Sequence, residues 1–368
     1  MKPKTPKAAK KENTEKKGAY YLLGVFLAVL VLHFVVLPEM FAGRFDRAEA
    51  EGTASSTKSL FSVKKEVQPL AFDAVAYDKK MRELANYGTS TASTTRAWPV
   101  KTVYPKAGAI LPFNRIVSYY GNFYSTKMGV LGQYDTETML AKLDHEKKVW
   151  EAADPSTPVI PAIHYIAVTA QGTPQSDGTY RLRMPGTEIQ KAIDLANRIH
   201  GIAFIDVQVG LSDLPRELPR LEPYLKNPNV HLGIDPEFSM HNGVKPGRVI
   251  GTMSSSDVNY AISFLDRIAK ENNLPPKMLV IHRFTEGMVT GSKNIKPTEN
   301  VQVVMDMDGW GFGAKKINTY KRVITQEPVQ FAGFKLFYKN DLLPPSKAML
   351  TPKEVLNLQP KPSYIQYQ

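Results

Sequence analysis

From residue 111 onward, short apolar runs alternate with helix-length amphipathic stretches, and this alternation leaves few folds open. Residues 115–120, 159–168, 203–209, 231–234, 278–282, 301–305 and 334–338 have the length and composition of strands. Helix patterns at 135–150, 187–200, 256–272 and 314–324 separate them, with a Pro-interrupted helix at 214–225. Gly201 closes the second helix, and Thr351-Pro352-Lys353-Glu354 is a capping box that opens a last one. Strands alternating with helices predict a parallel sheet covered by helices, and near-continuous apolar strands predict burial on both faces. The length suits a closed (β/α)8 TIM-type barrel, whose eighth strand is expected within residues 100–110. A doubly wound open sheet is the alternative. It usually carries a Gly-rich phosphate turn, whereas Gly129-Val130-Leu131-Gly132 lacks that spacing and no Walker sequence occurs.

The preceding residues follow different rules. Residues 1–18 form a basic tail with seven Lys and two Glu. Residues 19–37 are an uncharged apolar run of 19 residues, which as a helix spans roughly 28 Å, enough for a hydrocarbon core. The Lys excess ahead of it predicts a retained signal anchor with a cytoplasmic N-terminus and an extracytoplasmic remainder, so a lipid bilayer is the first expected partner. Residues 38–110 contain two Ser/Thr-rich runs, 52–57 and 89–95, and read as a flexible stalk, with a short helix or partner-binding segment at 67–84. The barrel is expected over 111–368. The net charge of +12 is otherwise spread out, without a basic stripe interleaved with aromatics, so nucleic acid is not an expected partner. The absence of Cys excludes disulfides, thiolate metal sites and a Cys nucleophile.

Barrel chemistry sits at the C-terminal strand ends, and polar residues recur there. Successive strands supply Tyr119, Tyr120 and Asn122, then His164, then Asp206 and Gln208. The later ones supply Asp235 and Glu237, then His282 and Arg283, then Asp306, Asp308 and Trp310, and finally Lys335. In His231-Leu232-Gly233-Ile234-Asp235-Pro236-Glu237-Phe238 a buried strand ends in two carboxylates. Extended backbone would point both to one face, and mutual repulsion would raise the pKa of one of them. Asp206, Asp235 and Asp306 on three strands need partners if buried, and His282, Arg283 and Lys335 are the candidates.

Three segments carry a resemblance. RIVSYYGNF resembles the opening strand of the chitinase-type glycoside hydrolases of family 18, LGIDPEF their fourth-strand Asp-x-Glu motif, and VVMDMDGWG their sixth-strand segment. The resemblance implies Glu237 as general acid, Asp235 as its orienting partner, and Asp306 or Asp308 at the substrate's reacting end. Where that family has further upstream Asp residues this chain has Val230, His231 and Gly233, and the Tyr beside the sixth-strand Asp is absent. The Asp-x-Glu pair is also similar to that of lysozyme-like family 25 barrels. The domain further resembles a family of bacterial membrane-anchored envelope proteins, which brings no activity with it. The favoured expectation is hydrolysis of a cell-envelope or extracellular polysaccharide, such as a peptidoglycan-type glycan, by carboxylate acid catalysis without a metal or other cofactor. Tyr119, Tyr120, Phe238, Trp310 and Phe312 are candidates for sugar stacking. Two alternatives stand beside it. One is a metal-dependent hydrolase using His164, His282, Asp206 and Asp235 around a divalent cation; the other is a non-catalytic module that binds glycan or protein.

Overall fold

The computed structural model describes residues 72–88, 97–241 and 243–368. The basic tail, the apolar run 19–37 and both Ser/Thr-rich runs lie outside these residues. Among the described residues, no helix is long and apolar enough to cross a membrane.

Eight parallel strands close into a barrel. In chain order they are β1 (Arg115–Gly121), β2 (Val159–Ala170), β4 (Ile202–Val207), β5 (Val230–Ile234), β7 (Lys277–Arg283), β9 (Val301–Met307), β10 (Phe331–Leu336) and β11 (Tyr364–Tyr367). Each pairs in parallel with the next, and β11 returns to β1, with Ile116 opposite Tyr364. A short β3 (Arg181–Arg183) pairs antiparallel with the end of β2, and β6 (Met253–Ser254) pairs with β8 (Val289–Thr290) outside the barrel. Helices α2 (Thr136–Ala153), α3 (Gly186–Arg198), α6 (Ser255–Glu271) and α7 (Gly313–Tyr320) cover the outside. The Pro-rich stretch 214–225 breaks into short turns, α4 (Leu214–Glu217) and α5 (Glu222–Leu225) with a 3-10 turn between them. The crossover from β7 to β9 holds two 3-10 turns and the short β8, with no α-helix among its described residues.

Strand alternation divides the core in two. Along β4, Ile202 and Phe204 face the barrel interior, while Ala203, Ile205 and Val207 face the helices. Outside, α6 buries Val258, Ala261, Ile262, Leu265, Ile268 and Ala269 at three- and four-residue steps, and a Ser254–Asp257 capping box starts it. Each fully buried Val, Ile or Leu side chain there contributes about 1.5–3 kcal/mol, so Leu265→Ala is the kind of change that loosens this wall.

Two expectations are corrected. The eighth strand is β11, not a segment of residues 100–110. YIQY is only four residues long and follows Pro360 and Pro362, so its periodic signal is weak, yet it supplies the register that closes the barrel. The folded unit also begins before residue 111. Helix α1 (Ala74–Ala85), capped by Asp73, buries Tyr77 and Met81 in the same apolar cluster as the barrel-interior residues Ile116, Ile202 and Met278. Asn86 Nδ2 donates to the carbonyls of Leu356 and Leu358, and Trp98 Nε1 to that of Thr325. This part of the expected stalk is tied to the barrel because its apolar residues fall on one helical face.

Candidate functional site

The barrel interior changes from apolar to polar as each strand approaches its C-terminal end. The inward sequence runs Ala162 to His164 on β2, Phe204 to Asp206 on β4, Val280 to His282 on β7 and Val304 to Asp306 on β9. Register sets His282 beside Asp306 and Asp206 beside Gly233. Above this tier opens a cavity of about 440 Å³ lined by Tyr120, Gln208, Asp235, Glu237, Asp308 and Lys335, with Trp310, Lys315 and Arg322 also on its walls.

The strand that carries Asp235 ends at Ile234. Pro236–Phe238 is a 3-10 turn, and Asp235 Oδ1 caps it by accepting from the Glu237 amide at 3.0 Å. The two carboxylates therefore do not share an extended face, because Pro236 and the capping carboxylate favour a turn. Both nonetheless reach the cavity, and both are perturbed, not one. Burial pushes the Glu237 carboxyl up to about 7, reinforced by the negative charge of Asp308 and opposed by Lys335 and His282. Burial also raises Asp235 well above the ordinary carboxyl range; His282 opposes this, and Glu237, Asp206 and Asp308 add to it. Gln208 Nε2 donates to Asp235 Oδ2 at 3.2 Å and to Tyr120 Oη at 3.3 Å.

Asp308 behaves in the opposite way. Burial alone would raise its pKa, but Lys335 Nζ at 3.0 Å and His282 Nδ1 at 3.1 Å hold it below the usual carboxylate range. Lys335 Nζ also sits 3.8 Å above the Tyr120 ring. The mouth thus combines two carboxyls that keep their protons to higher pH with one that is ionised.

In the lower tier, Asp206 Oδ1 lies 3.4 Å from His164 Nε2 and 3.5 Å from His282 Nε2. Tyr120 Oη donates to Asp206 Oδ2 at 3.1 Å, roofing the group. Burial lowers His164 to about 4, partly offset by Asp206. Burial would likewise lower His282, but Asp206, Asp306 and Asp308 outweigh it and raise its pKa. Asp206 falls below the usual range because His282 and His164 overcome burial, whereas burial raises Asp306. Among the described residues, His164, Asp206 and His282 form a group whose geometry could hold a metal ion; their three donor atoms all lie within 4.8 Å of one another.

The sequence candidates therefore divide in three. Tyr120, Gln208, Asp235, Glu237, Asp308, Trp310 and Lys335 line the cavity, as does Phe238; His164, Asp206, His282 and Asp306 lie beneath it. Tyr119, Asn122 and Arg283 belong elsewhere. Tyr119 faces the helices, its hydroxyl 2.9 Å from that of Tyr338. Arg283, one residue past the inward His282, turns outward to the carbonyls of Thr285, Glu286, Val289 and Val323 and the carboxylate of Glu327. Asn122 is buried, donating to the Ile166 carbonyl and accepting from the Tyr124 amide. Phe312 is exposed but outside the cavity lining. Phe284, Lys315, Arg322, Phe337 and Gln368 are lining residues that the strand pattern did not single out. Lys315 and Arg322 come from the crossover after β9, where strand periodicity carries no signal, and Gln368 follows the unrecognised β11.

Fold and site define a (β/α)8-barrel protein with a carboxylate-lined mouth. No family model matches the chain, and no curated protein matches it.

Proposed function

We propose that this protein is a glycoside hydrolase acting on a cell-envelope or extracellular polysaccharide. The supporting observation is Glu237: a carboxyl held protonated to about pH 7 in an open cavity that also contains Asp308, ion-paired to Lys335. Carboxyls driven apart in this way divide into acid and anion roles. Glu237 donates its proton to the glycosidic oxygen. Asp308 faces the positive charge that develops at the anomeric carbon, and of the Asp306/Asp308 pair it is the one on the cavity wall. Asp235 orients Glu237 by capping its turn. Trp310, 47% exposed at the rim, offers a sugar-stacking face.

We further propose that residues 19–37 anchor the chain in a bilayer with the barrel on the outer side, supported by the Lys-rich segment ahead of the run. The test of the activity is a polysaccharide panel with wild-type protein, followed by Glu237→Gln on any substrate cleaved. The expected loss in turnover is about 100-fold or more. Full turnover in the variant refutes the assignment.

A further inference from the structure

Beneath the proposed catalytic cavity lies a group of side chains that this reading does not use. Asp206 Oδ1, His164 Nε2 and His282 Nε2 converge at full burial, and none of the three atoms has a hydrogen-bond partner among the described residues. They face one another only at ion-pair distances of 3.4 and 3.5 Å, and a buried polar atom short of a hydrogen bond costs about 1–3 kcal/mol, which an ion bound between them would offset.

We propose that His164, Asp206 and His282 form a binding site for one divalent transition-metal ion of the zinc class. Two features of the geometry carry this. The first is spacing. Donors about 2.0–2.1 Å from a tetrahedral ion are about 3.3–3.4 Å apart, and the two histidine nitrogens lie 3.4 and 3.5 Å from Asp206 Oδ1. An imidazole–imidazole–carboxylate set suits zinc, cobalt or iron and disfavours calcium and magnesium, which take oxygen donors.

The second is the orientation of the rings. On the far side, the other nitrogen of His164 is hydrogen-bonded, while that of His282 lies at ion-pair distance from a carboxylate without hydrogen-bond geometry. His164 Nδ1 is 2.6 Å from Tyr364 Oη, and His282 Nδ1 is 3.1 Å from Asp308 Oδ2. Partners of this kind fix ring orientation and leave Nε2 for the metal. Space is available as well. A Cβ on Gly233 would fall 2.3 Å from Asp206 Oδ1 and 2.5 Å from His164 Nε2, so only glycine on β5 leaves that wedge open. Asp235 is not part of the donor set, which separates this site from the carboxylates above it. The ion would tie β2, β4 and β7 together below the cavity, and the site does not depend on the glycosidase reading.

The test uses the untagged full chain, stripped with chelator and reloaded with Zn²⁺ or Co²⁺. One tightly held equivalent is expected. X-ray absorption of the zinc form should show two imidazoles and a carboxylate oxygen at about 2.0–2.1 Å, and the cobalt form should show tetrahedral visible bands. His164→Gln and His282→Gln should each lower affinity at least 10-fold, and Gly233→Ala, which keeps every donor, should lower it as well. Failure of the wild type to retain one equivalent overturns the proposal, as does an absorption spectrum without two imidazoles. These two measurements need no variant, so a variant that fails to fold does not shield the proposal.

Discussion

The partly buried Glu237 carboxyl makes a prediction about stability that needs no substrate. Its pKa rises from an ordinary 4.5 to about 7 on folding, because burial and the negative charge of Asp308 penalise ionisation. Between these values the folded chain holds a proton that the unfolded chain has lost, so stability falls as pH rises across that window. The contribution is fully present below about pH 4.5 and lost by the time pH has passed through about 7. Each pKa unit corresponds to about 1.4 kcal/mol, so the loss is about 3 kcal/mol. Glu237→Gln removes the titration while keeping the size and polarity of the side chain. It also relieves Asp235, which acts in the same direction. Urea unfolding of wild type and variant at pH 4 and pH 8.5 gives two stability differences. The variant should gain about 3 kcal/mol relative to wild type between the lower and the higher pH. The same difference at both pH values would refute the claim that folding raises this carboxyl.

Three further outcomes follow from other parts of the molecule. Met81→Ala should cost about 2–5 kcal/mol in urea unfolding, because Met81 is buried in the cluster shared with the barrel interior, and a chain beginning at Trp98 should lose at least as much. Trp310→Ala should weaken glycan binding by calorimetry while leaving the unfolding midpoint within experimental error, since the ring is exposed at the rim and its packing partner is the Lys315 side chain 4.6 Å above it. Protease added to intact protoplasts should remove the barrel and spare the Lys-rich tail; a protected barrel contradicts the proposed topology.

What the sequence revealed depends on how periodic each element is. Seven strands were legible as apolar runs set between helix patterns, and His164, Asp206, His282 and Asp306 stand out as polar residues inside them. Strand β11 was not legible, because Tyr-Ile-Gln-Tyr holds one aliphatic residue and follows two prolines, and Tyr364 and Gln366, which contact His164, went with it. Parity along a strand decides which neighbour enters the barrel. Tyr120 and His282 point in, so Tyr119 and Arg283 point out, a distinction that composition near a strand end does not make. Glu237 was found by an argument from extended backbone, yet it reaches the cavity from a 3-10 turn. Lys315 and Arg322 enter from a crossover helix and turn whose pattern announces only an outer face.

The central claim is that Glu237 delivers a proton to a leaving oxygen, and a comparison of leaving groups tests it most directly. On the glycan class that the wild type cleaves, kcat/KM for Glu237→Gln is measured with the natural alcohol leaving group and with a nitrophenyl leaving group that departs without protonation. The expected result is a loss of about 100-fold or more on the natural bond and a small loss on the nitrophenyl glycoside. Equal losses on both substrates would contradict the acid role, since a group that only positions the sugar affects the two alike.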